Sequence, residues 1–194
     1  MNAFKEDFIN ICKANIQREG IEELLSWLEQ SDFYTAPAST KYHGNYEGGL
    51  LEHSLNVYNK FIQVKQFVTF EEGKEPTPET IAIITLFHDL CKVNFYKKGT
   101  RNVKDENGKW FAKEVYEVSE KIPLGHGEKS CIILQQFMKL SIEELLAIRW
   151  HMGGFDAATK GGDYGMSGAQ DYTKLVSLLQ AADALASIDE KKVD

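Results

Sequence analysis

The chain of 194 residues has few cysteines, no excess of positive charge and no long apolar run. Each shortage closes a class of function. Cys12, Cys91 and Cys131 are odd in number and form no C-x-x-C pair. Neither a disulfide framework nor a thiolate zinc site is expected, and a reducing compartment fits best. With 22 basic against 29 acidic side chains, the formal charge is −7. That is the wrong sign for wrapping a long phosphate backbone by counterion release, so no long nucleic acid is expected, although a local basic patch is compatible with it. No run of about 18 apolar residues is found, which argues against a membrane partner. The start, Met-Asn-Ala-Phe-Lys-Glu-Asp, lacks an apolar leader core. The expectation is a cytoplasmic protein, and nothing in the sequence fixes its oligomeric state.

What is present is ordinary globular material: 43% hydrophobic and 26% charged residues, enough for one folded domain with a substantial core. Residues 1–194 read as a single domain, with 1–40 as an N-terminal helical extension and 41–188 as the core. Phe4, Phe8, Ile11 and Cys12, then Ile21, Leu24, Leu25 and Leu28 after Gly20, predict two short helices. Leu51, Leu55, Tyr58 and Ile62 predict a helix from about Leu50 to Phe67, with His53 near its start. Thr77-Pro78 caps a mostly apolar helix expected to run to about Lys92, carrying His88 and Asp89 into the core. Asn107-Gly108 between two strand-like runs predicts a β-hairpin within 95–124. A helix from about Glu128 to Lys139 follows, then one opened by the Ser141-x-x-Glu144 capping box and ending at Gly153. The glycine-rich stretch 153–168 reads as a mobile flap before a last apolar helix, Tyr172 to Ser187, carrying Asp183.

Only five histidines occur, and four of them, His53, His88, His126 and His151, fall on or beside predicted apolar helices. One such histidine is ordinarily a hydrogen-bonded core residue. Four of them with two carboxylates make a set. Asp89 in Leu-Phe-His-Asp-Leu and Asp183 in Ala-Ala-Asp-Ala-Leu-Ala are costly in apolar surroundings, by several kcal/mol when unpaired. A divalent cation removes that cost. Imidazole and carboxylate without thiolate suit manganese, iron, zinc, cobalt or nickel. Adjacent helical positions such as 88 and 89 diverge by about a quarter turn. They share an ion only with help from other helices, for which His53 and Asp183 are the candidates.

Gly48-Gly-Leu-Leu-Glu-His53-Ser-Leu, Leu86-Phe-His88-Asp89-Leu-Cys-Lys92 and Ala182-Asp183-Ala-Leu together resemble the ordered H…HD…D signature of HD-domain phosphohydrolases, over roughly Tyr42 to Ser187. The resemblance implies an all-α fold, an HD-domain helical bundle with the hairpin as a small insertion. It also implies that His53, His88, Asp89 and Asp183 bind a metal which activates water for attack on a phosphate ester. Asp89 and Lys92 are then the catalytic candidates. Lys92, in the HD-x-x-K pattern, is placed to approach a phosphate oxygen, the competing reading being a solvent-facing lysine at a helix end.

In subgroups that bind two ions, two further histidines lie between the HD pair and the last aspartate, and His126 and His151 match them in order. Two divalent ions bridged by Asp89 are therefore expected; the alternative is that His126 and His151 contact substrate phosphate around one ion. The Gly-Gly-Leu-Leu-Glu-His start looks most like the bacterial 3′–5′ exoribonuclease branch, without its OB-fold domain. The cyclic-dinucleotide branch has Gly-Tyr-Pro where this chain has His151-Met-Gly-Gly-Phe. The implied substrate is a nucleotide or short oligonucleotide, and the alternative is a non-catalytic, metal-containing nucleotide-binding or regulatory module. His43, Lys92 and Arg149 are the substrate-binding candidates. For Arg149 and Glu128 a plain salt bridge competes. Phe155, Asp156 and Tyr164 on the flap are placed to close over a base.

Overall fold

The computed structural model describes residues 3–190. Its helices, in chain order, are α1 (Ala3–Asn15), α2 (Ile21–Glu29), α3 (Gly49–Lys65), α4 (Pro78–Phe87), α5 (His126–Leu134), α6 (Ile142–Arg149), α7 (Ala157–Lys160), α8 (Gly165–Tyr172) and α9 (Lys174–Asp189). Strands β1 (Tyr96–Lys104) and β2 (Trp110–Val118) lie between α4 and α5. The fold is all-α apart from this hairpin.

Helix α4 is central because its sequence leaves it no alternative. Every residue from Ile81 to Phe87 is buried, and a helix apolar on all sides must be enclosed by others. Thr77 caps it by accepting from Thr80 N–H, and Pro78 sits where its missing donor is harmless. Helices α3, α1 and α6 pack against α4, and α9 lies along α3 and α6. Phe8, Leu24, Leu50, Phe61, Ile83, Phe87, Leu134, Ile148 and Leu179 share one apolar core, each contributing about 1.5–3 kcal/mol by leaving water. The N-terminal helices belong to it: the Phe8 ring lies 5.1 Å from Phe33 and 5.8 Å from Phe87.

The hairpin predicted around Asn107-Gly108 is present, with Tyr96 opposite Val118 and Lys104 opposite Trp110. Three expectations are corrected. The helix from Pro78 stops at Phe87 rather than Lys92; Asp89 leaves helical geometry (φ −105°, ψ 23°), and Leu90–Lys92 form a tight 3-10 turn. The capping box at Ser141 and Glu144 opens α6, but that helix ends at Arg149, so His151 lies beyond it rather than in its last turn. The stretch 153–168 is not a shapeless flap. It contains a 3-10 turn, α7 and the start of α8, held down by a small second cluster of Trp150, Ala169 and Val176. Asp156 supplies the missing start signal by capping α7 through Ala158 N–H. Among the described residues no helix is long and apolar enough to cross a membrane.

Candidate metal centre

Four separate segments meet at Asp89. It sits at the break after α4, buried, with its two oxygens facing different neighbours. Oδ2 is 3.3 Å from His88 Nε2, 3.5 Å from His53 Nε2 and 2.6 Å from Lys92 Nζ. Oδ1 is 3.5 Å from His151 Nε2. Asp183, from α9, closes the group with Oδ1 at 3.2 Å from His53 Nε2. The break after Phe87 is what lets His88 and Asp89 face the same point, because a continued helix would have turned them apart.

Each of the three central imidazoles is fixed from behind. His88 Nδ1–H donates to Thr85 O at 2.8 Å, and His151 Nδ1–H to Ile148 O at 2.7 Å. A carbonyl only accepts, so the proton is on Nδ1 in both rings and the Nε2 lone pair is turned inward when the ring is neutral. His53 Nδ1 is held by Glu190 at 2.9 Å, and Asn56 Nδ2 donates to the same carboxylate at 3.1 Å. The Nε2 atoms of His53, His88 and His151 are buried with no hydrogen-bond partner. Unshared imidazole lone pairs beside carboxylate oxygens repel unless a proton or a cation lies between them. Nitrogen lone pairs converging on carboxylates, each ring backed by an acceptor, are the donor set of a divalent transition-metal ion. The donors His53, His88 and Asp89, and likewise His88, His151 and Asp183, lie within one ion's reach of each other.

The electrostatics agree. Burial opposes the charged form of Asp89, but Lys92 and His88, with the His151 contact, outweigh it and hold the carboxyl well below its ordinary value. Burial likewise resists protonation of His53, yet Asp183 and Glu190 overcome it and raise the ring to about 9. In Asp183 burial is again outweighed, chiefly by His53, and the carboxyl is lowered. The site thus holds more negative charge than Lys92 neutralises, and protons occupy it when no metal does. Asp183 is its more open side, with 19% of its side chain exposed against 3% for Asp89.

Not every candidate joins this group. His126 begins α5, and its Nδ1 is engaged with Cys91 Sγ at 3.2 Å; burial lowers its pKa. Gly127 sets this approach, since a Cβ there would lie 2.1 Å from Arg149 O. His43 stacks its ring 4.9 Å from His53, and burial lowers its pKa to about 4, leaving it neutral. Its loop is drawn in where Gly49 meets Gly44, a contact of 2.0 Å for any Cβ at Gly49. Lys92 is buried on Asp89 rather than facing solvent. Arg149 binds Glu128 at 2.6 Å and Asp156 at 2.9 Å, and lies over the Trp150 ring at 3.9 Å. Phe155 and Tyr164 are exposed, whereas Asp156 is buried against Arg149.

Two residues of the site went unread in the sequence. Glu190 sits in the polar run Asp-Glu-Lys-Lys, yet its seven-residue spacing from Asp183 puts both on one face two turns apart. Cys91 signalled nothing as an isolated thiol. Burial, reinforced by Asp89, pushes it up to about 12 and keeps it protonated. A family model described as HD domain matches residues 50–188. No curated protein and no solved structure matches the chain.

Proposed function

The chain belongs to the HD-domain family, and from that premise we propose that it is a metal-dependent phosphohydrolase acting on a phosphoester of a nucleotide or short oligonucleotide. The observation that carries this reading is the trio of buried Nε2 atoms, on His53, His88 and His151, without partners and turned toward Asp89. His53, His88, Asp89 and Asp183 would hold the ion. When bound, a divalent ion supplies Lewis acidity, which neutralises phosphoryl charge and acidifies water.

The chain's own residues supply the rest. Thr85 O, Ile148 O and Glu190 keep the imidazoles in the tautomer that presents Nε2. Lys92 carries a charge that burial opposes and Asp89 restores, so a fixed ammonium stands beside the reacting position to meet phosphoryl oxygen. The neutral ring of His43 is assigned to substrate; the guanidinium of Arg149 would reach it only by giving up Glu128 or Asp156. Asp89 has different partners on its two oxygens, which fits two ions as well as one; a second would be held with His151 and, through the ring nitrogen not engaged by Cys91, His126. The alternative is one ion, with those two histidines on substrate phosphate.

The test is elemental analysis of the purified protein and of an Asp89→Ala variant, followed by turnover of bis(p-nitrophenyl) phosphate and a nucleotide panel with manganese, iron, cobalt, nickel and zinc. The expected result is one or two ions per chain, lost together with turnover in the variant. Equal metal in parent and variant would show that the site is wrong. A metal-loaded parent that binds nucleotides but turns over none of the panel would leave the non-catalytic module in its place.

A further inference from the structure

The hairpin differs in charge and in exposure from the molecule that carries it. An isolated two-stranded sheet is marginal in water, yet most residues of β1 and β2 are exposed. Between Tyr96 and Val118 there are six basic residues, Lys97, Lys98, Arg101, Lys104, Lys109 and Lys113, against four acidic ones, in a chain whose formal charge is −7. Arg101 stands directly opposite Lys113. Like charges facing across a strand pair destabilise it, and neither residue has an ion-pair partner among the described residues. The next pair out on that face is Val103 and Phe111, the latter 47% exposed. At the strand end, on the opposite face, Trp110, 63% exposed, carries Lys104 Nζ 5.0 Å from its ring.

The other end of the hairpin is anchored at the metal centre. Lys92, bound to Asp89, lies four residues before β1. The Phe95 ring is 5.8 Å from His126, and Ser119 N–H donates to Phe95 O at 2.8 Å. Tyr96 Oη–H donates to Ala38 O at 3.2 Å, on the loop that carries His43. Nine-residue strands reach about 30 Å from that root. Unpaired cations interleaved with exposed aromatic rings, on an arm rooted at a phosphoester-cleaving site, match the needs of a single strand, whose phosphates seek cations and whose bases stack on any flat ring. A twofold contact with a second copy would instead bring the Arg101 and Lys113 pair against its own image.

We propose that the hairpin grips single-stranded oligonucleotide through Arg101, Lys113 and Phe111, which share one face, and leads its phosphodiester backbone to the metal centre. The second half of that statement rests on the phosphohydrolase reading; the binding does not. The test is fluorescence anisotropy of the full chain, in chelator at low salt, with labelled dodecamers of oligouridylate and oligodeoxythymidylate, whose relative affinities distinguish RNA from DNA. The double variant Arg101→Gln, Lys113→Gln is expected to bind about tenfold more weakly. Its slope of log affinity against log salt should fall by about 1.4, since each phosphate contact on a single strand contributes about 0.7. Phe111→Ala is expected to cost roughly tenfold as well.

Turnover of bis(p-nitrophenyl) phosphate, too small to span the hairpin, should be unchanged in both variants. A parent that binds neither dodecamer, or variants that bind as the parent does, overturn the proposal. So does a parent dimer that the substitutions convert to monomer in sedimentation, because the face then serves a second copy. Loss of dodecamer binding in the variants with no turnover of the small ester by the parent upholds the hairpin and removes the hydrolase.

Discussion

At the scale of residues, the centre depends on groups that touch nothing reactive. His88 and His151 use the same device, an Nδ1–H given to the carbonyl three residues back. His53 lacks such a carbonyl and relies on Glu190. Glu190→Ala should therefore weaken metal binding by about 10–100-fold, read by titration calorimetry, the usual cost of removing a carboxylate behind a ligating imidazole. Metal affinity equal to the parent's would show that Glu190 is only a structural contact. Asp89 and Asp183 were legible because a carboxylate between apolar helical neighbours demands a counter-charge. Glu190 was not, because a polar run near the end of α9 reads as a solvated tail. The Cys91–His126 contact was equally hidden, being created by tertiary approach at Gly127.

At the scale of elements, local pattern gave helix type well and helix ends poorly. Thr77-Pro78, Ser141 with Glu144, and Asn107-Gly108 each carry a start or turn signal of their own, and α4, α6 and the hairpin follow them. The stop after Phe87 carries none; it is fixed by what Asp89 and Lys92 bind. The Asp156 cap was missed because one short helix among glycines leaves no periodicity. The elements are also tied by a buried charge. Glu144, fully buried, accepts from Arg18 at 2.6 and 3.1 Å and from Thr80 Oγ1 at 3.1 Å, joining the α1–α2 turn to α6 and α4. Arg18→Met should lower unfolding free energy by about 3 kcal/mol in urea titration, because it strands that carboxylate. A loss below 0.5 kcal/mol, the ordinary surface value, would show that Glu144 is served without it.

For the whole molecule, metal binding and folding are one equilibrium, because donors from α3, the α4 break, the turn after α6 and α9 meet only in the folded chain. An ion at a hundred times its dissociation constant stabilises by about 2.7 kcal/mol, so Tm should rise by roughly 5–11 °C for a chain of this size. Calorimetry with chelator and with metal checks this. The pH dependence has a definite sign. The metal-free pKa of His53, raised to about 9, gives stability that is full below about 6.5 and is lost as pH rises through 9. Metal needs the neutral ring, so binding expels that proton and strengthens with pH over the same window. The metal-induced rise in Tm should be larger at pH 8 than at pH 6, and an equal or smaller rise would exclude His53 as a ligand.

Helices α4 and α6 both end at this centre, one beside His88 and the other just before His151. The last turns of both helices touch the centre through Thr85 O and Ile148 O, which hold His88 and His151, and a helix C-terminus adds about 0.3–1 kcal/mol of attraction for a nearby positive charge. That field answers to charge and not to element. Exchange among manganese, iron, cobalt, nickel and zinc leaves it untouched, and a monovalent ion gains half as much from it as a divalent one.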